Sequence, residues 1–417
     1  MIGMFAVGYR CDDCGSTYEA AELVNTCRQC GGFLETVYDY EALGRRLDRR
    51  KIAARKPSIW KWREFLPLRS EESIVTLGEG GTPLVKSLAA GPRLGLRHLY
   101  FKNDTLMPTG SFKDRGFSLA ISKARELGIR RGLTFTSGNA GASFAAYTRR
   151  AGMQAVILVK AWAASAKVAM LRAYGQEVIK LEYESFAEVA RLLAEAETGL
   201  GLYQFVNFIN PVRHEAMKTY AYEICEDLGW AAPDRMIHPV GTGGGIYGAW
   251  KGFQELLKLG LIQRSPRMTA VQPSATSPFI HAFRAGAREA SPTGHARGTL
   301  AESIAADAPL QGGRRVLRCV YESGGTVEAV SDEEILAAVR ELGAEGIFSE
   351  PAGAAPLAAL RQMVARGEVD PEETVVCVVT GTGLKQPEVS EQAYSQAMES
   401  IPATYDKLAA TLARVWG

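Results

Sequence analysis

From about residue 73 the chain alternates short apolar runs with longer amphipathic windows. Strands are predicted at 98–104, 132–138, 154–160, 177–183, 236–243, 267–273 and 374–383. Between them, apolar positions recur at helical spacing over 120–128, 142–152, 167–175, 186–196, 216–229, 246–260 and 332–343, and several of these windows end in Gly. Alternation of this kind predicts an α/β fold built on largely parallel sheets. Several predicted strands run directly into Gly/Ser/Thr-rich turns that open helices, and ligands of open α/β sheets bind at those carboxyl ends. Before residue 73 the rhythm is absent. A basic, Trp-containing stretch from Glu41 to about Arg69 reads as a helix and connecting arm, and its charges as a solvated face. The tail from about Tyr394 reads as helix.

Composition narrows the class. A chain of 417 residues with 47% apolar and 23% charged residues is globular and long enough for two or three units. Its 48 basic and 46 acidic residues leave a net charge of +2, which supplies no concentrated basic surface for a polyanion. No nucleic-acid partner is therefore expected. No apolar run approaches the length of a membrane span, since the most apolar stretch, 151–170, carries Lys160 and Lys167. The N-terminus lacks the layout of a signal peptide, so a cytoplasmic protein without membrane contact is expected.

Four of the seven cysteines fall in the first thirty residues, as the C-x-x-C pairs Cys11/Cys14 and Cys27/Cys30, each followed by a glycine (Gly15, Gly31). This is the spacing of a zinc ribbon, in which two knuckles offer four thiolates to one tetrahedral ion. Four cysteines leave no open position, so a structural Zn²⁺ is expected. Disulfides and a metal-free cluster are the alternatives, and the cytoplasmic setting disfavours the former. Cys225, Cys319 and Cys377 stand apart and read as small buried apolar residues. None of the five histidines sits in a metal or nucleophile motif, and His214 reads as a structural hydrogen-bonding residue.

Three loops carry candidate chemistry. In the stretch 108–116 (PTGSFKDRG), Ser111 reads as an N-cap that puts Lys113 in the first helical turn. There the helix dipole and a water-poor pocket both favour the neutral amine, the form that condenses with an aldehyde. In 136–143 (TSGNAGAS), Ser137, Gly138 and their small neighbours let backbone N–H groups approach a substrate carboxylate, and Asn139 adds an amide for a ring hydroxyl. In 239–246, Gly241, Thr242, Gly243, Gly244 and Gly245 form a bare backbone suited to a phosphate. No G-K-[ST] follows, and the dinucleotide spacing is absent. A further hydroxyl, Thr380, follows the last apolar strand. An amine, a phosphate cradle and a carboxylate turn together suggest pyridoxal 5′-phosphate.

With these motifs in place, the sequence resembles the threonine synthase family among the fold-type II pyridoxal-phosphate enzymes, from about Leu77 to Pro387. LGEGGTPL (77–84), EGIFSEPAGAA (345–355) and TGTGLKQP (380–387) also match family stretches. The resemblance implies two α/β subdomains with open twisted sheets, similar to the β subunit of tryptophan synthase. It makes Lys113 the Schiff-base lysine with Phe112 beside it, and sets Asn139 at the ring oxygen. The 241–245 loop would grip the cofactor phosphate, and Thr380 would meet the pyridine nitrogen, which a neutral hydroxyl leaves largely unprotonated. An N-terminal zinc-ribbon-like segment occurs in some members, and a homodimer is implied. The expected organisation is a ribbon at 1–40, an arm at 41–75 and a catalytic region at 76–417, with about 120–215 forming the smaller subdomain.

The implied reaction converts O-phospho-L-homoserine and water to L-threonine and phosphate. Lys113 would shuttle protons among the α, β and γ carbons, and the released phosphate could accept one as well. Asn207 and Arg213 match family residues near the leaving phosphate. Phe208 and Ala140, however, stand where the family carries hydroxyls, Met107 where it carries Asn, and Thr242 and Gly245 where it usually carries Asn. These departures keep open β-replacement on O-phosphoserine or a related amino acid, as in cysteate synthases, and serine/threonine dehydration. An enzyme-like interaction protein is the remaining alternative, against which Lys113, Asn139 and Thr380 speak. In every enzymatic reading the partner is a small amino-acid substrate.

Overall fold

The computed structural model describes residues 5–416 except Leu23, Ser137, Ser185 and the segments 162–164, 207–208, 295–297 and 396–398. Thirteen strands are described: β1 Ala6–Cys11, β2 Thr17–Glu19, β3 Leu34–Tyr38, β4 Leu84–Lys86, β5 His98–Asn103, β6 Arg131–Phe135, β7 Gln154–Lys160, β8 Glu177–Leu181, β9 Tyr203–Gln204, β10 Arg235–Pro239, β11 Arg267–Pro273, β12 Thr326–Val330 and β13 Thr374–Val379.

They form three sheets. The largest has the order β12-β11-β10-β13-β5-β4 and is parallel except for β4, which runs antiparallel to β5. A second, all-parallel sheet has the order β8-β7-β6-β9. Their inner strands are buried on two faces. Along β13, Val376 and Val378 enter one core while Val375, Cys377 and Val379 enter the other. Along β7, Ile157 and Val159 go one way and Leu158 the other. Two-sided burial gives continuous apolar runs, which is why these strands are visible in the sequence. The chain is thus an α/β protein with two open sheets and a small N-terminal unit.

That unit is the antiparallel sheet β2-β1-β3, with Tyr9 opposite Tyr18 on one side and Thr36 on the other. The arm forms short helices at Tyr40–Arg46, Arg49–Ala53 and Ile59–Phe65. From the arm, Trp62 and Phe65 pack against Tyr222 of the large unit.

The carboxyl ends of β6 and β10 deliver the 136–143 and 239–246 loops, β5 leads into the 108–116 loop, and β13 ends at Thr380. One detail differs from expectation. Phe112, not Ser111, caps the Lys113–Glu126 helix, and no side chain supplies the cap bond. The loop is held instead by backbone pairing with the segment after β13. Phe112 N–H donates to Thr380 O at 2.9 Å, and Thr382 N–H to Gly110 O at 2.9 Å. Ser111 sits in the bridge between them, opposite Gly381, with its Oγ buried and unbonded among the described residues. Lys113 is the first residue of the helix, as expected.

Candidate active site and metal centre

Lys113 opens its helix behind a rigid buried scaffold. The next residue, Asp114, accepts from Thr109 N–H (2.7 Å) and Thr109 Oγ1 (2.6 Å). Arg115 then forks onto Asp104 through Nε and Nη2, both at 2.9 Å, and reaches Glu223 with Nη1 at 2.5 Å. A buried guanidinium answered by two buried carboxylates fixes the loop, because breaking such a set strands a charge. Lys113 itself lies partly exposed beside the Phe112 ring, its Nζ 4.2 Å from the ring centroid. Desolvation is the main cause that lowers its pKa to about 7, the Arg213 charge adds to this, and the Glu350 carboxylate opposes it. The neutral amine is therefore well populated at neutral pH.

In the glycine loop, positions 243 and 245 admit no side chain. Gly243 caps the Gly244–Lys258 helix in the left-handed region, φ 88°, and a Cβ there would fall 2.0 Å from Val316 Cγ2. At Gly245 a Cβ would fall 2.5 Å from His238 Cε1. The imidazole of His238 thus fills the space that an Asn side chain at position 245 would need. His238 is buried, shares a hydrogen bond between Nδ1 and Pro239 O (2.8 Å), and burial pushes its pKa down to about 4.

Asn139 begins the helix after β6, and Gly138 precedes it as the cap residue. The Asn139 amide donates to both oxygens of Glu350, at 2.8 and 3.0 Å. Glu350 is a site residue that sequence reasoning did not assign. It is buried, hydrogen-bonded by Ser303 Oγ (3.4 Å), and a Cβ on Gly381 would lie 2.6 Å from its Oε1. Burial raises its pKa. Its signal was an acid inside an otherwise small and apolar stretch, SEPAGAA, that heads the buried Pro351–Ala365 helix. Thr380, buried at the carboxyl end of β13, stands next to Gly381. Lys385 was also unassigned. Its Nζ lies 3.4 Å from Met170 Sδ, across the gap between the two parallel-sheet units.

Arg213 lies in the short Pro211–Glu215 helix. Its guanidinium is buried over the Phe117 ring (4.1 Å), and Nη1 donates to Phe205 O at 3.0 Å. Burial pushes it down to about 9, still cationic at neutral pH. The structure therefore groups Lys113, Arg213, Asn139, Glu350, Thr380 and the 241–245 loop. Ser137, Asn207 and Phe208 lie outside the described residues.

The four N-terminal thiols form a second site. Their ligand atoms all lie within 4.8 Å of one another. Cys11–Cys30, Cys14–Cys27 and Cys14–Cys30 Sγ atoms are each 3.5 Å apart, too far for a disulfide. A tetrahedral zinc with ~2.3 Å bonds needs S···S distances of about 3.8 Å, close to these. Each knuckle folds a glycine N–H back onto its first cysteine, Gly15 onto Cys11 O (3.2 Å) and Gly31 onto Cys27 O (2.8 Å).

The family model for pyridoxal-phosphate dependent enzymes matches residues 75–381, and the chain belongs to that family. Within it the chain is similar to several threonine synthases. The chain is 39% identical over 394 residues to that of Methanocaldococcus jannaschii, covering 94% of this chain and 96% of the relative. It is 38% identical over 383 residues to that of Methanosarcina acetivorans, covering 91% and 92%. Among solved structures, a processed threonine deaminase from Solanum lycopersicum shares the fold, with a TM-score of 0.65, 20% identity and coverage of 89% of this chain and 97% of that one. The chain is accordingly a pyridoxal-phosphate-dependent lyase of threonine synthase type.

Gly243→Ala tests the cradle. The left-handed φ costs an L residue roughly 1–2 kcal/mol and the added Cβ meets Val316, so the loop is expected to shift and the thermal midpoint to fall, with cofactor retention read beside it by dialysis of the holoenzyme.

Proposed function

We propose that this enzyme converts O-phospho-L-homoserine and water to L-threonine and phosphate. The observation that carries this reading is the placement of Lys113, at the start of its helix, within electrostatic reach of the buried Arg213 cation in a chain 39% identical to a threonine synthase. When bound, pyridoxal phosphate supplies the electron sink that lets protons leave the substrate's α and β carbons. Lys113 Nζ is the base and acid that moves those protons. The amides of 241–245 hold the cofactor's phosphate, and the Thr380 hydroxyl meets its ring nitrogen as a neutral partner. Asn139, oriented by Glu350, faces the ring oxygen. Ser137 and Gly138 receive the substrate carboxylate. Asn207 and Arg213 receive the leaving phosphate, Arg213 as a bidentate fork.

The test is direct. Holoenzyme given O-phospho-L-homoserine should release threonine and phosphate in equal amounts. No threonine at high enzyme concentration sinks the reading, and turnover of phosphoserine with sulfite, or of serine or threonine, would then identify the alternative.

Cys11, Cys14, Cys27 and Cys30 hold a structural zinc in this reading, supported by the S···S distances above. Purified protein should carry about one equivalent, and Cys27→Ser less than about a fifth of that, with a lower thermal midpoint. A cytoplasmic homodimer completes the proposal. No helix among the described residues is long and apolar enough to cross a membrane, and size-exclusion chromatography with light scattering reads the oligomeric state.

A further inference from the structure

The helix that carries Arg213 is gripped at both ends by the N-terminal ribbon. At its start, Asn210 is the cap: Oδ1 accepts from Val212 N–H at 3.0 Å, and Arg213 N–H donates to Asn210 O at 3.2 Å. The other half of the Asn210 amide is committed to the ribbon, because Nδ2 donates to Asn25 Oδ1 at 3.1 Å and to Tyr203 OH at 3.0 Å. Tyr203 OH itself donates to Asn25 Oδ1 at 2.7 Å, and Asn25 Nδ2 donates to Gln204 O at 3.2 Å. One ribbon side chain thus ties the edge strand β9 to the cap of the Arg213 helix.

At the far end, Glu215 accepts from Tyr38 OH at 2.7 Å and pairs with Lys218 at 2.8 Å and with Lys251. Lys251 also pairs with Glu35 of β3, and His214 Nε2 lies 3.4 Å from Glu215 and 3.8 Å from Glu35. Lys251 belongs to the Gly244–Lys258 helix, which starts in the glycine loop. The knuckles dock on the large unit as well. Asp12 meets Arg315 at 2.7 Å, Asp13 meets Arg314 at 3.0 Å, and Gln311 bonds Gly31 O (2.9 Å) and Phe33 N–H (3.1 Å).

We infer that the ribbon is a strap across the two parallel-sheet units, and that Asn25 is a positioning residue that sets Arg213 through the Asn210 cap. Each of its two amide atoms bonds outside the ribbon, so its position is defined by what it holds. The claim rests on reading Arg213 as the residue that meets the substrate's phosphate. Substrate affinity then depends on a contact in a segment outside the catalytic region, while cofactor binding through 241–245 does not.

Asn25→Ala holoenzyme should show a KM for O-phospho-L-homoserine raised about three- to tenfold, with kcat within about twofold and unchanged cofactor content and absorbance. Backbone hydrogen exchange over 209–216 should quicken. Asn25→Asp keeps both acceptor contacts but sets an oxygen against Gln204 O, so its KM should fall between those of wild type and Asn25→Ala. Unchanged exchange over 209–216 overturns the proposal. An unchanged KM beside quickened exchange also overturns it, as does a loss of cofactor in step with activity, which would mark a merely structural contact. If the wild type fails to turn over phosphohomoserine, the substrate reading has failed, and the exchange measurement alone decides whether Asn25 holds the Arg213 helix.

Discussion

Lys113→Ala is expected to reduce kcat by about 10²- to 10⁴-fold, the range a positioned acid–base group contributes. A lysine on the surface is protonated at neutral pH and holds no lone pair for a carbonyl or a C–H proton. Lys113 is displaced from that state chiefly by burial, which penalises the ammonium, and further by the Arg213 cation. Glu350 pulls the other way without restoring the ordinary value. The amine is therefore neutral above about 7 and ammonium below it. Condensation of cofactor with the apoprotein should accelerate as pH rises through that value and then level off. Lys113→Arg should be as inactive as the Ala variant, since a guanidinium stays charged. Small primary amines added to Lys113→Ala should restore part of the rate, because the missing function is a base and the cavity left is amine-sized. Stopped-flow absorbance of the bound cofactor reads both. An Ala variant that keeps more than about a hundredth of wild-type kcat would show that another group moves the protons.

The fold was legible where burial is two-sided. β7 and β11 coincide with the predicted runs because their apolar residues enter cores on both faces, Ile157 and Val159 opposite Leu158 in β7, Met268 and Ala270 opposite Val271 in β11. β12 was not predicted: it is an edge strand, and Glu328 in its middle breaks the run. β9 spans two residues, Tyr203–Gln204, too few for any period to register. The Pro351–Ala365 helix escaped for the opposite reason, since its first ten residues are all small or apolar and buried, and no polar face marks the helical repeat.

The same division holds for the site. Lys113 and the 241–245 glycines sit in contiguous motifs whose chemistry is local, so sequence alone singled them out. Glu350 acts on Asn139 across 211 positions of chain, and Asn25 on Asn210 across 185. No local pattern encodes a pairing of that range. His238 is intermediate. The glycine at 245 was visible as a departure from the family, but what fills the space became evident only when β10 brought the imidazole against it.

Arg213→Lys should raise KM for O-phospho-L-homoserine about 10²-fold while leaving the cofactor bound. Hydrogen bonds to charged groups contribute ~1.5–3 kcal/mol each, and a bidentate fork on phosphate makes two of them, so replacing the fork by a point charge sacrifices roughly one to two such bonds. At about 1.4 kcal/mol per decade this is about one to four decades of affinity. Burial sharpens the effect: the guanidinium lies against the Phe117 face, where desolvation holds it down at about 9, and an arriving dianion offsets that cost. Affinity for inorganic phosphate should fall in parallel, since product and leaving group share the contact. Deamination of threonine, if the enzyme shows it, should be spared, because that substrate carries no phosphate. The Lys variant keeps the positive charge and most of the volume, so folding is preserved. An unchanged KM in Arg213→Lys with full cofactor content would remove Arg213 from the substrate site, and with it the chain of contacts through Asn210 and Asn25 would lose its functional end.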